Sequence, residues 1–168
     1  MTMVIVDNEI IAKAMSFSIE RVLKRYVDEE ELSLAAAREH EQELKRFLAL
    51  CAMNPETHYG MKGPIDKLWH TFIIFTRDYH LFCREVAGRY LHHEPTDEEA
   101  KRAGDSGESY KRFLNDYRIH FGEPPAHLWL KLLEPGDLSR GDGASCGNAC
   151  GCSPGGSCDG GDSSGDAE

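Results

Sequence analysis

Asp66 and His70 stand four residues apart, and His92 and His93 follow some twenty residues later. A carboxylate and an imidazole at that spacing stack on one flank of a helix. A further imidazole after the next helix completes the donor types of a zinc site, or of a two-histidine, one-carboxylate iron site. A divalent ion needs several such donors held on one side of a cavity by rigid elements. Tyr79 or Cys83 can add a donor or a group that supports one. The plain structural alternative is that Asp66 accepts a hydrogen bond from His70, while His92 and His93 cap the carbonyls of the preceding helix.

A second set of donors is Cys146, Cys150, Cys152 and Cys158, spaced C-x3-C-x-C-x5-C in a glycine-rich context. Four thiolates can hold Zn²⁺, Cu(I) or an iron–sulfur cluster, although the paired C-x2-C of a zinc ribbon is absent. The competing reading is a low-complexity tail whose thiols stay reduced. Neither a G-x-S-x-G elbow, a phosphate-binding loop nor a dinucleotide fingerprint occurs. Cys83 falls on an apolar stripe, the environment of an inert thiol, and Cys51 reads as a small core residue. His120, His127, Tyr110 and Tyr117 read as core or rim residues.

The elements that must position these groups follow from hydrophobic periodicity. Ile11, Met15, Ile19, Val22 and Tyr26 recur at helical spacing and predict one helix over residues 8–26. After the acidic turn at residues 28–31, Ser33 is placed to cap a helix reaching about Met53, with Leu44, Phe47, Leu48 and Cys51 inward and charges elsewhere. Asn54 before Pro55 ends it, and His58 falls in what reads as an exposed loop. Pro64 suits the first turn of the next helix, whose inward face is Ile65, Leu68, Trp69 and Phe72.

Thr76 is a candidate cap for a further helix with Tyr79, Phe82, Cys83 and Val86 inward, closed at Gly88. Thr96 and Glu99 form a capping-box pattern before a glycine-containing loop at residues 104–107. Glu108–Phe121 predicts the last strong helix, and the segment around Trp129 a short lid on the core. No run alternates apolar and polar residues, so the expected fold is all-α: a compact irregular bundle of about five helices.

The chain has 168 residues, enough for one cored domain, and a formal net charge of −10. That balance argues against nucleic acid and anionic membranes as partners, since both need a basic face. No run approaches the roughly 18 apolar residues of a membrane span, and the N-terminus lacks a signal-peptide pattern. The expected location is the cytoplasm, where six cysteines are thiols or ligands rather than disulfides. From Ser139 the composition changes: of thirty residues nine are Gly, six Ser, four Cys and five acidic. Such a segment buries too little apolar surface to offset its ordering entropy. The expected division is a helical domain over residues 1–138 and a disordered tail over 139–168.

The run from Ile65 through Asp66, Trp69, His70 and Thr71, then Thr76, Tyr79, Phe82, Cys83, Gly88 and His92-His93-Glu94-Pro95, resembles the glycine-rich domain-containing protein-like family. It is most similar to small bacterial members that join such a helical domain to a Gly/Cys-rich tail. The resemblance covers about residues 40 to 130; it implies an all-α domain and carries over no enzymatic activity. Plant relatives read W-H-T-H where this chain has Phe72 in place of the second histidine. Asp66, His70 and His92 or His93 are the donors that match. The functional expectation is a non-enzymatic metal-binding protein, zinc first, with the tail thiols as a second site. The alternatives are a metal-dependent enzyme with an open coordination position, and an interaction module binding a protein partner through its helices or its flexible tail.

Overall fold

Among the described residues, Leu34–Met53 is the longest helix and the one on which most of the others pack. Ser33 opens it, its side chain accepting from the Ala36 amide, and Asn54 closes it. The computed structural model describes residues 2–93 and 107–130. In chain order these form α1 (Thr2–Ser16), α2 (Glu20–Glu30), α3 (Leu34–Met53), α4 (Pro64–Ile74) and α5 (Thr76–Phe82). A π-helical turn (Cys83–Ala87) follows, then α6 (Glu108–Phe121) and a second π-helical turn (Ala126–Leu130). Among the described residues there is no strand, so the fold is all-α as periodicity predicts. The capping-box segment, the tail and its four cysteines lie outside the described residues.

Helices α1, α2, α4 and α6 and the first π-helical turn all contact α3. That surround explains a departure from the amphipathic expectation. Leu44, Phe47, Leu48 and Cys51 are buried as predicted, but so are His40, Glu41, Glu43 and Lys45. A helix covered on several sides has no fully wet face, so its charges need partners. Lys45 Nζ donates to Glu41 Oε1 at 2.7 Å, and Arg38 donates to the other oxygen at 2.8 Å. Glu43 receives Trp129 Nε1 at 2.6 Å, the Tyr117 hydroxyl at 2.9 Å and Arg46 at 2.7 Å. One carboxylate therefore ties α3 to α6 and to the second π-helical turn. Trp129, fully buried, is the lid that the sequence suggests.

The single helix expected over residues 8–26 is two helices. Residues 17–19 break the run, and the Ser16 hydroxyl donates to the Lys13 carbonyl at 3.1 Å. Serine side chains compete for backbone groups in this way, and the apolar spacing runs straight through the break without registering it. A second correction concerns Thr76, which is the first residue of α5; Phe75 is the cap position and makes no side-chain capping bond. His58 is half-buried rather than exposed, with its Nδ1 enclosed and unpaired among the described residues. Its loop is pressed onto α6, where the Arg112 guanidinium donates to the His58 carbonyl at 2.9 Å. Gly60 lies so close that an added Cβ would come within 2.7 Å of Ser109 Oγ.

His40 faces the Tyr26 hydroxyl at 2.9 Å, and that hydroxyl is 3.0 Å from the Pro64 carbonyl. A carbonyl only accepts, so the hydroxyl donates to Pro64 and His40 donates through Nδ1–H. Burial holds the His40 imidazole below its ordinary value of 6.5, with Glu39 opposing that shift and His127 adding to it. The unfolded chain therefore takes up this proton first as pH falls, and stability present above about pH 6.5 is lost below it. Urea midpoints measured from pH 8 to pH 5 are expected to fall less steeply for His40→Gln than for the unaltered chain; equal slopes would remove His40 from the account. For Glu43→Ala, the expected loss is about 3–5 kcal/mol, the range for stranding partners of a buried charge. Urea denaturation reads it directly, and a loss under about 1 kcal/mol would show the network to be dispensable.

Candidate metal centre

Gly63 and Pro64 start α4, with Gly63 at φ 79° and Pro64 in the first helical position. Asp66 falls in that first turn, where the positive end of the helix dipole favours a carboxylate. One turn on, His70 lies over it. Its Nδ1 is 2.8 Å from the Asp66 backbone carbonyl and 3.5 Å from Asp66 Oδ2. The carbonyl accepts, so Nδ1 carries the proton and the lone pair of the neutral ring sits on Nε2.

The third member arrives from a different part of the chain. After α5, the π-helical turn widens the backbone, and Gly88 in the left-handed region (φ 67°) reverses it. Arg89 then donates to the Cys51 carbonyl of α3 at 2.6 Å. Leu91 is buried and held at both backbone groups: its amide donates to Cys83 Sγ at 3.4 Å, and its carbonyl accepts the Tyr79 hydroxyl at 2.5 Å. These anchors lay the chain across α4. His93 Nε2 comes to rest 3.0 Å from Asp66 Oδ1, and its ring lies 4.3 Å from both the Trp69 and His70 rings.

Asp66, His70 and His93 thus form one group whose ligand atoms all lie within 4.8 Å of one another. The Asp66 and His93 side chains are 7 % and 3 % exposed, whereas His70 is 45 % exposed, so the group opens to solvent at His70. Such a cluster can hold a metal ion: two imidazoles and a carboxylate are borderline donors suited to a first-row divalent ion. Of the four residues that the sequence singles out on the domain, three come together. His92 does not join them; it is exposed, and its ring lies 4.9 Å from that of Tyr90. The two adjacent rings thus part company, His93 reaching Asp66 and His92 lying exposed beside Tyr90.

Neither partial alternative read from the sequence describes the pair fully. His70 bonds chiefly to the Asp66 backbone, and the Asp66 carboxylate serves His93 instead. Tyr79 and Cys83 lie outside the donor group and act on Leu91. No local sequence pattern links Arg89, just after Gly88, to a carbonyl on α3, or Leu91 to the side chains that hold it. His127 is exposed and pairs with Glu39 at 2.9 Å; His120 is exposed, and Tyr110 and Tyr117 are core residues. The cysteine set Cys146, Cys150, Cys152 and Cys158 lies outside the described residues. A cleft of about 550 Å³ lined by Lys13, Ser16, Phe17, Ser18, Glu85 and Val86 involves none of the three donors. No described helix is long and apolar enough to cross a membrane.

No curated protein and no solved structure matches the chain. A sequence model of the family described as UCP032817-like matches residues 8–116, which span α2 to α5 and all three donors. The chain belongs to the UCP032817-like family, which is uncharacterised.

Proposed function

We propose that the protein binds a divalent transition metal through Asp66, His70 and His93, with zinc the first choice, in a role that is not catalytic. Support comes above all from the convergence itself: three donors from two separate segments reach one point, each held by a rigid neighbour. Donors around a tetrahedral zinc stand about 3.4 Å apart, given bonds of about 2.0–2.1 Å. The ligand atoms of the group lie within 4.8 Å of one another, wider than that spacing, so the side chains close inward when an ion binds. In the metal-free form the His93 Nε2 proton lies between nitrogen and carboxylate, so the cation takes the place of that proton. His70 adds support, because a ring nitrogen bonded to a carbonyl, with the other free for an ion, is the usual posture of a metal-ligating histidine.

The resemblance to a family of helical domains with Gly/Cys-rich tails fits this reading and extends it to Cys146, Cys150, Cys152 and Cys158 as a second, thiol-based site. A second reading, a metal-dependent enzyme, is favoured by one observation. Three protein donors with His70 at the surface leave a fourth position for water or substrate.

Elemental analysis of protein purified without chelators tests the proposal. The expected result is about one equivalent of metal retained by a chain in which the four tail cysteines are replaced by serine, and more in the unaltered chain. His93→Gln in the serine-substituted chain is expected to weaken binding by at least about 10–100-fold. Absence of metal from both forms, with no uptake on titration with Zn²⁺, would reject it.

A further inference from the structure

Leu91 is two residues before His93, and both of its backbone groups are gripped by side chains of the preceding helical segment. We infer that Tyr79 is a positioning residue for the metal centre: its hydroxyl sets the height of the 91–93 segment over α4 and so places the His93 imidazole within reach of Asp66 and His70. This rests on the metal-binding reading above and goes beyond it, since Tyr79 is not one of the three donors.

The geometry is a short hydrogen-bond chain. Trp69 Nε1 donates to the Tyr79 hydroxyl at 3.0 Å, and the hydroxyl donates to the Leu91 carbonyl at 2.5 Å. Trp69 belongs to α4 and is also the ring against which His93 rests, 4.3 Å away. The same indole therefore fixes one end of the chain and walls the imidazole. The Tyr79 ring has little freedom, being buried and set edge-on to Phe72 at 5.1 Å and to Tyr90 at 5.4 Å. Cys83, one turn further along, takes the Leu91 amide. Peptide units are planar, so fixing the amide and carbonyl of Leu91 also fixes the start of residue 92, leaving few torsions before His93.

Groups that orient metal ligands through such contacts govern affinity without touching the ion. Removing the hydroxyl alone keeps the ring and its packing, and frees the Leu91 carbonyl from its fixed donor. The segment then has more than one resting height, and the ion must select the competent one.

Titration with Co²⁺ and Zn²⁺ of Tyr79→Phe in the full-length chain with its four tail cysteines replaced by serine tests this against that same serine-substituted chain, beside Tyr59→Phe as a control. Tyr59 is also buried, but its hydroxyl bonds to Asp116 on α6, outside the donor group. Tyr79→Phe is expected to bind about 10–100-fold more weakly than the serine-substituted chain and to show an altered Co²⁺ absorption spectrum. Tyr59→Phe is expected to lose thermal stability while keeping the unaltered affinity and spectrum. Cys83→Ala, which removes the weaker grip on Leu91, is expected to show the same changes to a smaller degree and replaces Tyr79→Phe as the test if that variant fails to fold. Unaltered affinity and spectrum in Tyr79→Phe would overturn the inference and leave metal binding intact, as would an equal loss of affinity in Tyr59→Phe. A serine-substituted chain that takes up neither ion would overturn both.

Discussion

Tyr26, Tyr59, Tyr79, Tyr110 and Tyr117 are buried, and each spends its hydroxyl on a partner within the fold. Tyr26, Tyr79 and Tyr110 donate to the backbone carbonyls of Pro64, Leu91 and Trp129. Tyr59 and Tyr117 donate to the carboxylates of Asp116 and Glu43. Backbone carbonyls and carboxylates that turn into the core need donors there. Burying such a group unpaired costs about 1–3 kcal/mol, a large part of the marginal stability of a domain this size. A phenol meets the need well, because one flat apolar body fills the core while its tip supplies a donor. Burial in turn keeps these phenols protonated, pushing Tyr26, Tyr59, Tyr110 and Tyr117 well above the usual tyrosine value.

The candidate metal centre depends on the same constraint. Its carboxylate and one imidazole share a helix turn and need only α-helical geometry to meet. The other imidazole depends on a reversal at Gly88 and on the anchoring of residues 89 and 91 to α3 and α5. A polar group there is placed by other polar groups, each satisfied in turn. Donors held on rigid elements in this way need less ordering by an incoming ion.

Central placement of α3 has a parallel consequence for charge. Glu41, Glu43 and Lys45 survive in the interior because each meets a partner: Lys45 and Arg38 on Glu41, and Arg46, Tyr117 and Trp129 on Glu43. Glu43 in particular closes the C-terminal end of the described domain by fixing Trp129. These partners come from residues up to 86 positions away, and a helical wheel of α3 alone has no means of assigning them.

By itself, the amino-acid order determined the all-α class, the cap at Ser33, the start of α4 at Pro64, the turn at Gly88 and the extent of α6. Each of these rests on local chemistry: a hydroxyl within reach of an amide, a ring that presets φ, a residue tolerant of positive φ, an apolar stripe of period 3.6. It also made Asp66 and His70 neighbours, since four residues on a helix is one turn. The tertiary structure decided which of His92 and His93 turns inward, that α1 and α2 are separate, and that half the charges on α3 are interior. Those outcomes depend on what packs against each segment from distant parts of the chain. His93 meets Asp66 while Leu91, two residues before it, is held from α5, and both contacts are set by the folded arrangement of α4, α5 and the returning segment rather than by any spacing along the sequence.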